Sequence, residues 1–164
     1  MSNLSNTMLT PTPNSIRALQ AISIALLTTT AGASASLSIF LVPRLMESPT
    51  PLMVGQFLRA VSSARRRLTI PLILPGILHA YLAYLVPVKA RMYVIAATLT
   101  LSTLPWTHFA ITPLNRELEG RIMTLDAEEF ETAHQLVDSW ATRNLYKPVV
   151  NFAAGIIGLY AALW

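Results

Sequence analysis

The stretch Leu68–Val86, LTIPLILPGILHAYLAYLV, decides the fold. It carries no charged side chain, and its single imidazole, His79, sits among leucines, isoleucines and tyrosines. A helix needs ~20 mostly apolar residues to cross a hydrocarbon layer ~30 Å thick, and this run has that length. Three further runs read the same way, so that the expected spans are 16–42, 68–86, 92–111 and 148–164. The first holds no charge beyond Arg17, and the last is short enough to borrow Tyr146 and Lys147 or to cross with little tilt. A short polar tail, 1–14, is expected to precede a single membrane domain, 15–164.

Composition agrees with this reading. Hydrophobic residues make up 53% of the 164-residue chain and charged residues 12%, against about 25% charged in an average soluble domain. A mean hydropathy of +0.50 leaves too little polar surface for a water-soluble globule, and the high apolar content excludes disorder. With no cysteine, disulfides, thiolate nucleophiles, zinc fingers and iron–sulfur ligation are excluded too. The expected class is all-α: an integral-membrane four-helix bundle with an additional interfacial helix in the last loop.

Ala31-Gly32-Ala33 and Ala33-Ser34-Ala35 resemble signal-peptidase sites, but no basic residue precedes Arg17, so the first run reads as a retained helix. Its small pairs, Gly32/Ser36 and Ala31/Ala35, are spaced four apart and are expected to admit a neighbouring helix closely. The formal net charge is +4. With four crossings, the 43–67 and 112–147 loops share a side and hold Arg44, Arg59, Arg65, Arg66, Arg67, Arg116, Arg121, Arg143 and Lys147. Arg17, Lys89 and Arg91 lie opposite. Such a bias places both loops in the cytosol and the termini across the membrane. The basic residues flank spans, with no aromatic-interleaved face, so no nucleic-acid partner is expected.

Between the first two spans an arginine-rich loop contains a short helical segment, Met53–Ala64. Between the last two, seven of the eight acidic residues fall in 117–138. There an amphipathic helix is expected over 124–144, capped by Thr124, with Asp126, Glu128 and Glu129 favourable against the helix dipole. Its apolar stripe is Leu125, Phe130, Ala133, Leu136, Val137 and Trp140. It is expected to lie against the bundle on the loop side or to run straight into the fourth span.

Polar groups inside a bilayer are expensive, which makes them candidates for function. His79 follows Pro75-Gly76, where a lost backbone bond is expected to kink the helix; a hydrogen bond across to another helix is the structural alternative. The densest constellation is Pro105-Trp106-Thr107-His108-Phe109-Ala110-Ile111-Thr112-Pro113-Leu114-Asn115-Arg116-Glu117-Leu118 at the end of the third span. A second is Trp140, Asn144, Lys147 and Asn151, which share one helical face and read equally as interfacial anchors. His79, His108 and His134 show no paired spacing, so no metal site is expected.

Pro105-Trp106-Thr107 with Pro113-Leu114-Asn115, then Trp140-x-x-x-Asn144 with a basic residue three positions on, resembles the anthrone oxygenase family. These are small integral-membrane proteins of fungal polyketide pathways, and the Gly/Ala-rich last span completes the likeness. One departure is Lys147 where the family pattern has arginine, which keeps the charge but loses the bidentate fork. The resemblance implies an oxidoreductase that converts an anthrone to an anthraquinone with O2 as co-substrate and no cofactor. It implies a base, for which this chain offers His79 or His108, the latter a local candidate outside the family pattern; donors to phenolate and peroxide oxygens, Asn115, Asn144, Arg116 and Lys147; and flat apolar walls, Trp106, Phe109, Tyr84 and Trp140. The implied partners are a lipophilic aromatic substrate and the bilayer, in the endoplasmic reticulum or another intracellular membrane. Two alternatives stand beside it: a different rearrangement or cyclisation of a lipophilic natural product on the same scaffold, and a non-enzymatic membrane scaffold.

Overall fold

In a computed structural model, residues 12–121 and 129–164 are described, with side chains 121 and 129–131 excepted. The expected cap at Thr124, the acidic residues Asp126 and Glu128, and most of the N-terminal tail lie outside these residues. The described chain is helical almost throughout, with four long apolar helices. We denote them α1 (Pro13–Met46), α2 (Thr50–Leu85), α3 (Pro87–Gly120) and α4 (Thr132–Leu163). The protein is an integral-membrane four-helix bundle. Each helix packs against its chain neighbours, and α4 closes the ring against α1, an up-down arrangement.

Their length is the first departure from expectation. Helices of 34, 36, 34 and 32 residues at ~1.5 Å per residue measure about 50 Å, so each outruns ~30 Å of hydrocarbon by roughly 20 Å. Met53–Ala64 is not a separate segment: α2 runs unbroken from Thr50 through Arg65-Arg66-Arg67 to Leu85. The amphipathic helix, observed from Glu129 to Asn144, is separated from the last span, Tyr146–Leu163, by Leu145 alone. Its stripe is buried at Ala133, Val137, Trp140 and Ala141 against Val42, Leu45, Met53, Val54, Phe57, Ile111, Leu114 and Leu118. The four overshooting ends form a lobe with an apolar core of their own, and that core keeps a charged sequence helical.

Within the spans the packing is different. Smaller clusters, Leu27–Ala96–Ala154 and Leu82–Tyr93–Ala161, fill the bundle axis. The side of α1 facing its neighbours is Ser23, Leu27, Thr30, Ala31, Ser34 and Ser38. Gly32 and Ser36 point away from it, with open space around Gly32. Close approach occurs instead at Gly76, where a Cβ would lie 2.8 Å from Leu101.

α1 and α3 each contain one π-helical turn, Leu37–Leu41 and Thr107–Ile111. In each, a backbone N–H reaches five residues back, Val42 to Leu37 and Thr112 to Thr107. The next residue, Pro43 or Pro113, has no N–H to offer. Single π turns widen a helix locally and recur at functional sites; here both lie at the seam between spans and lobe.

Candidate functional site

At that seam is a cavity of about 310 Å³, at the lower end of the range for small-molecule sites. Its walls come from all four helices: Ser34 and Leu37 of α1; Val61 to Ile73 of α2; Leu104 to Asn115 of α3; and Trp140, Asn144 and Lys147 of α4. Leu68, Leu72, Ile73, Leu104 and Ile111 make the apolar surface. A second hollow, about 370 Å³, shares Val61, Arg65, Thr69 and Asn115 with the first and adds Ser62, Arg66 and Glu119. The two form one groove between α2 and α3, apolar within and charged at its outer end.

The π turn in α3 brings Thr107, His108, Ile111, Thr112 and Asn115 onto the cavity wall. Thr107 and Thr112 are occupied by their own helix: Thr107 Oγ1 donates to the Thr103 carbonyl, and Thr112 Oγ1 donates to the Thr107 carbonyl at 3.0 Å. His108 makes an edge contact with Phe109, centroids 4.9 Å apart. Two buried polar atoms of wall residues have no hydrogen-bond partner among the described residues, Asn115 Oδ1 and Trp140 Nε1. Buried polar groups are normally satisfied, so an orphaned acceptor and an orphaned donor on two residues of one cavity wall are unusual. The Trp140 ring is fixed edge-on by Phe57, centroids 5.0 Å apart.

Asn144 is tied rather than free. Its Nδ2 donates to the Ser34 carbonyl at 3.1 Å and to Ser38 Oγ at 3.0 Å. It thereby pins the start of the last span to the π turn of α1. Of the residues given a chemical role in the sequence, His108, Asn115, Trp140, Asn144 and Lys147 line the cavity.

The others do not. Trp106 Nε1 donates to the Arg143 carbonyl at 2.9 Å and its ring stacks on Tyr146, centroids 4.4 Å apart, so it clasps α3 to α4 outside the cavity. Phe109 and Tyr84 are 75% and 79% exposed, and Tyr84 lies at the opposite end of α2, so neither forms a wall. Arg116 is exposed and borders neither hollow. His79 is buried inside the spans, with Nδ1 2.8 Å from both Ser23 Oγ and the Pro75 carbonyl. Its Nε2 lies against Gly158, where a Cβ would overlap it, so it ties three helices together. Among the described residues no three His, Asp or Glu side chains converge.

Arg65, Thr69 and Ser34 were not singled out, yet they line the cavity. Val61, Arg65, Leu68, Thr69 and Leu72 share one helical face. That face becomes visible only once α2 is known to continue through its arginines.

Four membrane-spanning helices around an interfacial cavity lined by a histidine, a tryptophan and two asparagines define a small polytopic membrane protein. A family model described as anthrone oxygenase matches residues 57–157, which takes in nearly the whole cavity wall. An anthrone oxygenase of Cryptosporiopsis sp. (strain 8999) is 31% identical over 146 residues, covering 82% of this chain and 81% of that protein. The chain belongs to the anthrone oxygenase family. No solved structure matches it.

Proposed function

We propose that this protein oxidises the methylene carbon of a polyphenolic anthrone with dioxygen to give an anthraquinone and water, without a cofactor. The observation that carries the reading is that His108, Asn115 and Trp140 line one largely apolar cavity, the last two carrying polar atoms without a partner among the described residues, in a chain from this family. Removing one methylene proton leaves a delocalised, electron-rich anion. That anion passes one electron to O2, and the resulting radical and superoxide combine, forming a C–O bond. Protonation gives a hydroperoxide; loss of the second methylene proton then breaks the O–O bond, leaving C=O and releasing hydroxide, which takes up a proton to become water. One oxygen atom enters the quinone and the other leaves as water, so the anthrone loses two hydrogens and no outside reductant is needed.

The chain's part is proton transfer and charge placement. His108 accepts the methylene proton. The Trp140 N–H donates to the oxygen on which negative charge gathers, and Asn115 Oδ1 accepts from a ring hydroxyl. The leucine and isoleucine walls hold the tricycle flat and exclude water. The charge bias of the loops orients the lobe and the groove mouth toward the cytosol, in the endoplasmic reticulum or another intracellular membrane.

Oxygen uptake by detergent-purified protein with a hydroxyanthrone, with and without chelator, tests this. Expected is chelator-resistant uptake of one O2 per anthrone, reduced by about 10²-fold or more in a folded His108→Ala variant, the usual scale of a lost general base. Uptake no faster than autoxidation, or uptake abolished by the chelator, would overturn it.

A further inference from the structure

The mechanism leaves two cavity groups unused. Arg65 and Lys147 both line the cavity, and no Asp or Glu does. Among the described residues neither side chain makes an ion pair; Arg44 pairs with Glu47 on the surface. Lys147 is half-buried one turn beyond Asn144, at the start of the last span. Arg65 is exposed and belongs to both the cavity and the outer hollow. Glu119 stands only in the outer hollow, with Arg65 and Arg66. Moving inward along the groove, charge therefore changes from mixed to solely positive.

An uncompensated ammonium at the edge of hydrocarbon is costly. Nothing in the cavity wall offsets it, and an anionic ligand would supply the opposite charge. We propose that the cavity takes its aromatic ligand as an anion, a polycyclic aromatic acid whose carboxylate is seated against Lys147. The rings lie on Leu68, Leu72, Ile73 and Leu104, and Arg65 at the mouth steers the anion inward. Lysine suits this role as a compact point charge that one carboxylate oxygen can meet without the planar match an arginine fork requires.

The inference rests on the cavity being the ligand site, and its test is independent of the reaction. Anthraquinone-2-carboxylate, the isosteric anthraquinone-2-carboxamide and 2-hydroxyanthraquinone are already oxidised, so their binding is read without turnover. Binding to the full-length protein in detergent is followed by quenching of tryptophan fluorescence. The carboxylate is expected to bind about tenfold or more tightly than the carboxamide, the scale of one charge-assisted bond. Lys147→Met erases that preference and Lys147→Arg retains it. Arg65→Gln slows association and flattens its salt dependence, whereas Arg44→Gln, which removes an equal charge elsewhere, changes nothing. Where 2-hydroxyanthraquinone binds as its phenolate as tightly as the carboxylate, the anion preference still holds and the acid group widens to include phenolates. Equal affinity for carboxylate and carboxamide, binding of neither, or a preference that survives Lys147→Met would sink the proposal. Should Lys147→Met fail to fold, the comparison of the two probes on the unaltered protein decides. A failed oxygen-uptake experiment with an intact carboxylate preference would discard the reaction and keep the anion site; the reverse result would do the opposite.

Discussion

The membrane half and the lobe of this bundle are built from the same four helices on different physical terms. In the spans, beside the small clusters around Leu27, Leu82 and Tyr93, contacts run through small and polar residues: Gly76 under Leu101, Gly158 under His79, Ser23 on the His79 ring, and Gln20 Nε2 donating to the Tyr93 hydroxyl. In the lobe they run through large apolar side chains, with Met53, Phe57, Leu118 and Val137 fully buried and Trp140 nearly so. Lipid tails are as apolar as leucine, so within the bilayer burying a leucine gains little and close approach plus hydrogen bonding must hold helices together. In water the same burial stabilises by roughly 1.5–3 kcal/mol per large side chain. The cavity lies where the two regimes meet, and both π turns fall there.

The contrast can be broken in order of expected effect. Trp140→Ala removes the largest side chain shared by the lobe core and the cavity and should cost about 3–5 kcal/mol, seen as a lowered guanidinium midpoint in detergent. Trp140→Phe keeps the edge contact with Phe57 and should restore most of that stability while oxygen uptake stays low, because the indole N–H is gone. Gly158→Ala forces its new methyl against His79 and should cost about 1–3 kcal/mol. That loss should appear in titration with dodecyl sulfate, which competes for the spans, more than in guanidinium. If both variants shift both curves alike, the two halves unfold as one unit and the distinction between them has no energetic meaning.

Asn144→Ala joins the two regimes. Losing its donation to Ser34 and Ser38 should cost about 1–2 kcal/mol, measurable in either titration since the residue sits at the seam. Smallest is Ser23→Ala, about 0.6 kcal/mol, the average for an interhelical hydrogen bond inside a membrane. A much larger loss there would mean that the His79 cluster, and not close packing, holds the spans.

Some of the site was legible from spacing. Trp140, Asn144 and Lys147 recur at four and three and so share a face whatever surrounds them; His108 and Asn115 are seven apart on α3 and do the same. The aromatic walls were not legible. Trp106 and Phe109 sit beside His108 in sequence, yet a helix turns neighbours by about 100°, and their faces look toward Tyr146 and outward instead of into the cavity. Arg65 and Thr69 were hidden for another reason, because a run of three arginines reads as the end of a helix and not as its middle.

Hydropathy, charge bias and short motifs in the chain by itself determined four spans, an amphipathic approach to the last one, family membership and half of the cavity's polar groups. These depend on side-chain chemistry and on periodicity along one helix. Only the tertiary structure decided that the spans continue into a lobe, that Gly76 and Gly158 and not Gly32 are the close contacts, that Asn144 is tied to α1, and that Arg65 and Lys147 share a cavity without a carboxylate. Each of those depends on how one helix is rotated and raised against another, and that is set by packing among residues far apart in sequence.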